Sequence, residues 1–348
     1  MTEHDIYIKR AIELACMGMG AVSSNPMVGA VLVCDGLIVG EGYHQKYGEA
    51  HAEVNAIRSV FTNYPNAEDL LKKSVLYVTL EPCAHVGKTP PCADLIIQHQ
   101  IPKVVVGCRD PSTHVDGKGI EKLKNAGVVV IQDVLRSECW ELNKRFFTRV
   151  QKQRPYIILK WAQTADGFFA PTNGSQKWIS SAYAKQLVHQ WRSEEDAILV
   201  GKRTALIDNP KLNVRAWKGR NPTRMVIDRN LELPKHLHLF DQSEETIIFN
   251  SIATKIDEKI KYIQLEDFDT LLPQLIAYQL YLMDIQSIII EGGAQILKLF
   301  IHANLWDEAR VFISPDRWGE GMKAPTLQNR ANETFQVGED RLEIVYND

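Results

Sequence analysis

Short apolar runs recur along this chain, and most are followed by a segment with helical spacing. That alternation is the strongest constraint on its fold, because strand–helix repeats build a sheet with helices on both faces. In the first half, Ile6, Ala11, Leu14, Ala15 and Met19 recur near helical spacing, so a helix is expected over 4–19. "MVGAVLVC" (27–34) and "LIVGEGY" (37–43) read as strands joined at Asp35-Gly36, a hairpin signal. A helix from Ala52 to Phe61, the strand "SVLYVTL" (74–80), a helix over 92–99 and the strand "KVVVGC" (103–108) are expected next. A helix near 118–125 should end at Gly127, before a short buried strand "VVVI" (128–131).

A helical segment then ends at Arg154-Pro155 and a new strand opens with "YIILKWA" (156–162). The domain boundary is placed there, giving one domain over 1–150 and a second over 151–348. A length of 348 residues suits two domains of ordinary size. In the second half, helices are expected over 181–193, 268–282 and 293–302. Strands are expected over 197–201, 223–228, 246–249, 286–291 and 308–313.

No apolar run reaches the ~18 residues of a membrane span, and the opening residues Met1-Thr2-Glu3-His4-Asp5 are acidic where a secretory signal would be basic. A cytoplasmic protein is expected. Forty basic against forty-three acidic residues leave a net charge of −3, which argues against a nucleic-acid partner. The local exception, "LNKRFFTRVQKQR" (142–154), reads as a solvated helix face or linker.

Six cysteines lie at 16, 34, 83, 92, 108 and 139. Two of them bracket "EPCAHVGKTPPC" (81–92), where a disulfide, a structural metal site and a catalytic metal site compete. A reducing cytoplasm disfavours the disulfide. Upstream, "HAEVNA" (51–56) puts His51 and Glu53 two residues apart at the start of an expected helix. His-x-Glu followed by Pro-Cys and a second cysteine is the pattern of zinc deaminases acting on nucleobase-type rings. One imidazole and two thiolates would hold Zn²⁺ tetrahedrally with the fourth position open to water. Glu53 would stay off the metal and carry protons. A structural zinc needs a fourth protein ligand, for which His85 or His99 is available, but leaves Glu53 unexplained. Pro91-Cys92 fits the opening turn of a helix.

"SSNPMVGAVLV" (23–33), "GYHQKYGEAHAE" (42–53) and "EPCAHVGKTPPC" closely resemble the first domain of the bifunctional riboflavin-biosynthesis deaminase/reductase family, and the resemblance continues through the second half. It implies an N-terminal cytidine-deaminase-like α/β/α sandwich followed by a dihydrofolate-reductase-like α/β domain. It implies one Zn²⁺ on His51, Cys83 and Cys92, with Glu53 as proton shuttle. Asn25, His44, His85 and Lys88 would line the pocket for a ribosylaminopyrimidine 5′-phosphate, which would lose ammonia.

In the second half, Glu291-Gly292-Gly293 joins an apolar strand to a helix, a junction able to cradle a phosphate on exposed amides. Thr204 and Asp208 lie four apart near a strand-to-helix transition, and Arg192 and Arg215 supply charge suited to a phosphate. No G-x-G-x-x-G fingerprint is present. Here the resemblance implies hydride transfer from NADPH to the ribose-derived C1′, converting a ribosylamino into a ribitylamino group. It implies that Lys160, Ala162, Trp178, Thr204, Asp208 and Gly293 contact NADPH. Asp166, Ser175, Arg192, Leu212, Arg215 and Glu291 would contact the substrate. Departures from the family pattern are Thr164 for serine, "DNP" at 208–210 for Asp-Asp-Pro, and Arg229 where a cofactor-contacting serine is usual.

The expected partners are thus a small pyrimidine ribosyl phosphate and further copies of the chain, in a dimer or tetramer, with neither nucleic acid nor membrane. The competing readings are a nucleic-acid-editing zinc deaminase with an RNA-binding second domain, and a structural zinc scaffold.

Overall fold

The computed structural model describes residues 2–84, 90–112, 116–173 and 177–347, and the chain divides into two compact units, Met1–Gln153 and Arg154–Asp348. The first unit is built on a five-stranded sheet in the order Leu37–Tyr43, Gly29–Cys34, Val75–Leu80, Lys103–Cys108, Val129–Ile131. The first three strands pair antiparallel and the last three parallel. Asp35 (φ 48°) and Gly36 (φ 77°) make the hairpin turn, both in the left-handed region that a two-residue turn of this kind demands.

Side chains alternate along each strand, so the sheet buries both faces. Ala30, Leu32, Leu76, Val78, Val104 and Val106 pack on one side with Ala52, Ala56, Ile57, Val60 and Ile96 from the helices Ala52–Asn63 and Cys92–Gln98. Val31, Val33, Tyr77 and Val105 pack on the other with Ile8, Ala11 and Leu14 from the helix Glu3–Cys16 and with Phe147. This is a three-layer α/β/α sandwich. The basic segment 142–154 supplies the helix Lys144–Lys152, whose Phe147 lies 1% exposed, 4.2 Å from the Trp140 ring. Phe147 is therefore committed to the core, and Phe146 packs half-buried against the same cluster.

The second unit carries a ten-stranded sheet. Its order is Lys255–Asp257, Ile260–Gln264, Thr246–Asn250, Thr223–Ile227, Ala197–Gly201, Ser287–Glu291, Tyr156–Thr164, Glu308–Ser314, Asp340–Tyr346, Glu333–Val337. The central strands run parallel, and each end closes with an antiparallel strand pair. Ile157, Leu159 and Trp161 face one apolar cluster with the helix Leu272–Leu282, while Tyr156 and Ile158 face another with Trp191 of the helix Ala182–Glu194. No helix among the described residues is long and apolar enough to cross a membrane.

Several expectations shift. The helix expected over 268–282 starts at Leu272, because Asp267 Oδ1 accepts the amides of Asp269 and Thr270 (both 2.9 Å) in a local turn that competes with the helix. The 128–131 run is an edge strand, not a buried one, with Val129 55% exposed. Pro91 stands at the N-cap of its helix, not in the first turn. The helix Lys202–Asp208 and the C-terminal strand pair lay beyond the sequence reading.

Candidate active sites

In the first unit, the buried strand Val75–Leu80 delivers Glu81-Pro82-Cys83 at its C-terminal end. Glu81, 4% exposed, accepts the amides of Gly117 (3.0 Å), Gly119 (3.0 Å) and Ile120 (3.2 Å), fixing the start of the helix Lys118–Asn125 against the segment that carries Cys83. A Cβ on Gly119 would lie 1.9 Å from the Pro82 carbonyl oxygen, so only glycine permits this approach. Cys92 opens the helix Cys92–Gln98, and its amide donates to Cys83 Sγ (3.3 Å). His51 is the N-cap of the helix Ala52–Asn63, which leaves Glu53 in the first turn, 3% exposed.

His51 Nδ1 stands 3.6 Å from Cys83 Sγ and 3.3 Å from Cys92 Sγ, and the three donor atoms lie within 4.8 Å of one another. Tetrahedral zinc, with bonds of about 2.3 Å to sulfur and 2.0 Å to nitrogen, sets S and N about 3.5 Å apart. The donor set therefore fits zinc in both chemistry and spacing. The hydrogen bond from the Cys92 thiol, with further help from His51 and the Cys92 amide, lowers the Cys83 pKa to about 4, while the Cys92 thiol is pushed up by the same pairing and by burial. Burial, reinforced by the Cys83 thiolate, raises the Glu53 pKa.

Asn25 and His44 close one side of this group. His44 Nδ1 donates to the Ala50 carbonyl (3.0 Å), which leaves Nε2 to accept from Asn25 Nδ2 (3.0 Å), and burial lowers the pKa of the ring. The His44 and His51 rings meet edge-on at 5.6 Å. Asn143 grips both the amide and the carbonyl of Met27 (2.8 Å each), steadying the loop that carries Asn25. His85 and Lys88 lie outside the described residues.

In the second unit, a cleft of about 470 Å³ opens near the C-terminal ends of the parallel strands. It is lined by Lys160, Ala162, Trp178, Thr204, Asp208 and Gly292, and by the substrate candidates Arg192, Leu212, Arg215 and Glu291. Gly293 lines an adjoining cleft of about 410 Å³, which shares Thr204, Asp208 and Gly292 with the first. Gly292 (φ 74°) and Gly293 (φ 72°) both turn through the left-handed region at the start of the helix Ala294–His302, beside the Thr204 side chain.

Lys160 and Glu291 are register partners on adjacent strands. Arg192 binds Glu291 through both ends of its guanidinium, Nε at 2.9 Å and Nη2 at 2.7 Å. Burial alone would raise the Glu291 pKa, but Arg192 and Lys160 outweigh it and hold the carboxyl at about 2. Burial lowers the Lys160 pKa.

Asp166 is not brought into either cleft. Its carboxylate accepts the Thr164 hydroxyl (2.5 Å) and the amides of Trp318 (3.3 Å) and Gly319 (2.8 Å), bonds that hold it at about 2 and commit it to a turn. Ser175 lies outside the described residues. The sequence reading also passed over Glu81 and Asn143, which position the first site, and over Lys185, His189 and Lys211, which line the cleft. For Lys185 and His189 a signal existed: with Arg192 they fall on one face of a single helix, four and then three residues apart.

Comparison with known proteins matches residues 1–108 to the cytidine and deoxycytidylate deaminase zinc-binding region and residues 155–341 to the RibD C-terminal domain. The riboflavin biosynthesis protein RibD of Aquifex aeolicus is 40% identical over 98% of this chain and 96% of its own length. The RibD of Escherichia coli is 36% identical over 91% of this chain and 89% of its own. A crystal structure of a diaminohydroxyphosphoribosylaminopyrimidine deaminase/5-amino-6-(5-phosphoribosylamino)uracil reductase from Thermotoga maritima superposes with a TM-score of 0.90 at 37% identity, covering 99% of this chain and 98% of that one. Acinetobacter baumannii RibD superposes with a TM-score of 0.88 at 30% identity, with the same coverage. Both chemistries suggested by the two sites are therefore present in one enzyme that uses Zn²⁺ and NADPH, and the chain belongs to the RibD family of bifunctional riboflavin-biosynthesis deaminase/reductases.

Proposed function

We propose that Met1–Gln153 deaminates the pyrimidine ring of 2,5-diamino-6-ribosylamino-4(3H)-pyrimidinone 5′-phosphate, and that Arg154–Asp348 then reduces its ribosyl group to ribityl with NADPH. The observation that carries this reading is the His51–Cys83–Cys92 group at zinc spacing, with the buried Glu53 two residues from its histidine. The two-step substrate is that named for the Thermotoga maritima enzyme.

His51, Cys83 and Cys92 hold zinc, which when bound makes a water nucleophilic at neutral pH. Glu53 takes the proton of the attacking water and delivers it to a ring nitrogen, then takes the proton of the newly added hydroxyl and passes it to the departing amine, which leaves as ammonia while the carbonyl forms. Its burial and raised pKa suit a group that must both accept and return a proton. His44, locked between Ala50 and Asn25, orients the Asn25 amide toward the ring. The family pattern also assigns substrate contacts to His85 and Lys88.

In the reductase, Ala162, Trp178, Thr204, Asp208 and Gly293 hold NADPH, which when bound supplies the hydride for C1′. Opening the sugar also needs a proton at the ring oxygen. Lys160, made more acidic by burial and set against Glu291, is placed to supply it. Leu212 and Arg215 bound the substrate side. The unpaired state of all six cysteines suits a cytoplasmic enzyme. Exposed Tyr278 and Leu282 on the helix Leu272–Leu282 offer a surface for self-association, and the net charge of −3 favours small-molecule partners over nucleic acid. The test is a coupled assay on this substrate. One ammonia released per NADPH oxidised is expected, and NADPH oxidation without prior ammonia release would contradict the order of steps.

A further inference from the structure

Two short strands of the second unit stand outside its main sheet. Phe168–Ala170 pairs antiparallel with Met322–Lys323. The ribbon reaches both clefts: Phe169 lines each of them, and Ala170 and Met322 line the 410 Å³ one beside Gly292 and Gly293. It is thus a flap against the cofactor side. A two-stranded ribbon this short is not stable by itself in water, so its position must come from contacts elsewhere.

Those contacts converge on one buried hydroxyl. Thr164, fully buried at the end of the strand Tyr156–Thr164, accepts the Phe168 amide (2.9 Å) and donates to Asp166 Oδ1 (2.5 Å). The Asp166 carboxylate then accepts the amides of Trp318 (3.3 Å) and Gly319 (2.8 Å), in the turn that leads to Met322–Lys323. A local turn would need only the Thr164–Phe168 bond. The reach to Trp318 and Gly319 is what fixes the second flap strand to the first. Lys323 adds to the tie, lying over the Phe168 ring (3.9 Å) and donating to the Asp166 carbonyl (3.2 Å). The strands also meet at their backbones, since a Cβ on Gly321 would lie 2.7 Å from the Ala170 carbonyl oxygen.

Neither Thr164 nor Asp166 lines a cleft. We propose that they are positioning residues of the reductase: together they hold the Phe168–Ala170 and Met322–Lys323 flap against the NADPH side of the cleft, and so set how fast the cofactor leaves. A flap already held in place costs less to order when the cofactor binds, which favours affinity. The role differs from the substrate contact expected of Asp166, and it rests on the placement of NADPH proposed above.

The test uses the full-length, zinc-loaded enzyme. Thr164→Val keeps the side-chain shape and loses the hydroxyl, Thr164→Ser keeps the hydroxyl, and Asp166→Asn replaces one accepting oxygen with an N–H. The NADPH dissociation constant is measured by fluorescence titration and its dissociation rate by stopped flow, beside KM for the deaminated substrate, ammonia release and the melting temperature. Thr164→Val and Asp166→Asn should raise the NADPH dissociation constant roughly tenfold, mainly through faster release. Thr164→Ser should match the wild type, and KM for the pyrimidine substrate and ammonia release should hold. Gly321→Ala, which forces the strands apart at Ala170, should also weaken NADPH binding, and it decides the matter if Thr164→Val does not fold. A lower melting temperature with unchanged NADPH binding would make the two residues merely structural and overturn the proposal. So would Thr164→Ser behaving like Thr164→Val, or an equal rise in KM for the pyrimidine substrate. If the wild type neither binds nor oxidises NADPH, the function proposed above falls, and this role with it.

Discussion

The deaminase site and the reductase cleft achieve function by opposite means. The first gathers four chemical groups from three chain segments into a space a few ångströms wide, and its acid and donor sulfurs are buried or half-buried. The second spreads its groups over the ends of several strands, around a cleft of about 470 Å³, with cations that range from half-buried to exposed. A metal site tolerates little displacement because bond lengths fix it, whereas a cleft that binds two large ligands distributes the work among many weak contacts. Substitutions should therefore act nearly all-or-none in the first unit and by degrees in the second.

The largest effect expected is from metal removal. Chelation of zinc, or Cys83→Ser, should abolish ammonia release, while NADPH oxidation with pre-deaminated substrate continues; metal content and the two activities are measured on one sample. Loss of both activities together would break the separation drawn between the units.

Next comes Arg192→Leu, which removes both hydrogen bonds to the buried Glu291 carboxylate and leaves Lys160 on the adjacent strand as its counter-charge. A destabilisation of about 3–5 kcal/mol is expected, read by denaturant unfolding. The pH dependence carries the same sign. Arg192 and Lys160 hold the Glu291 carboxyl at about 2 in the folded chain against 4.5 for a free glutamate side chain, so its stabilisation is complete above about 4.5 and fades as pH falls toward 2. In the variant that acid limb should weaken.

A smaller effect is expected at Glu81. Glu81→Ala leaves buried amides at Gly119 and Ile120 without an acceptor and slackens the segment holding Cys83. Zinc affinity, measured against a competing chelator, should fall about 10- to 100-fold, the usual cost of losing an outer support of a metal site. An unchanged affinity would show that the ligands hold their geometry unaided.

The smallest expected effect is a slope. His189 titrates at about 4 when folded against 6.5 unfolded, so between these pH values the unfolded chain binds a proton that the folded chain refuses. Stability should drop as pH falls from 6.5 to 4, and His189→Asn should remove that part of the slope in melting curves.

The same contrast decides what could be read from the amino-acid order. His51, Glu53, Cys83 and Cys92 were legible because a metal site restricts residue type, and few other patterns place those types together. Glu81 stood two residues from Cys83 but gave no signal, since nothing local reveals that a glutamate is buried and bonded to amides some forty positions away. The strands of both sheets were legible from apolar runs. Val129 was misread because a short apolar run does not disclose that it lies at a sheet edge. In the reductase half, Arg192 was visible as a charge, but its neutralisation by Glu291, ninety-nine residues away, depends on tertiary packing. Asp166 shows the converse: its position matched the family pattern, yet its carboxylate is bonded to amides from a distant segment.

The central claim is that one buried carboxylate drives deamination in a unit chemically independent of the reductase. The most direct test is Glu53→Gln in the full-length chain, assayed for zinc content, ammonia release and NADPH oxidation with pre-deaminated substrate. The account predicts one zinc per chain, ammonia release lowered by about 10²–10⁴-fold, and NADPH oxidation at the wild-type rate. Ammonia release near the wild-type rate, with zinc retained, would contradict it.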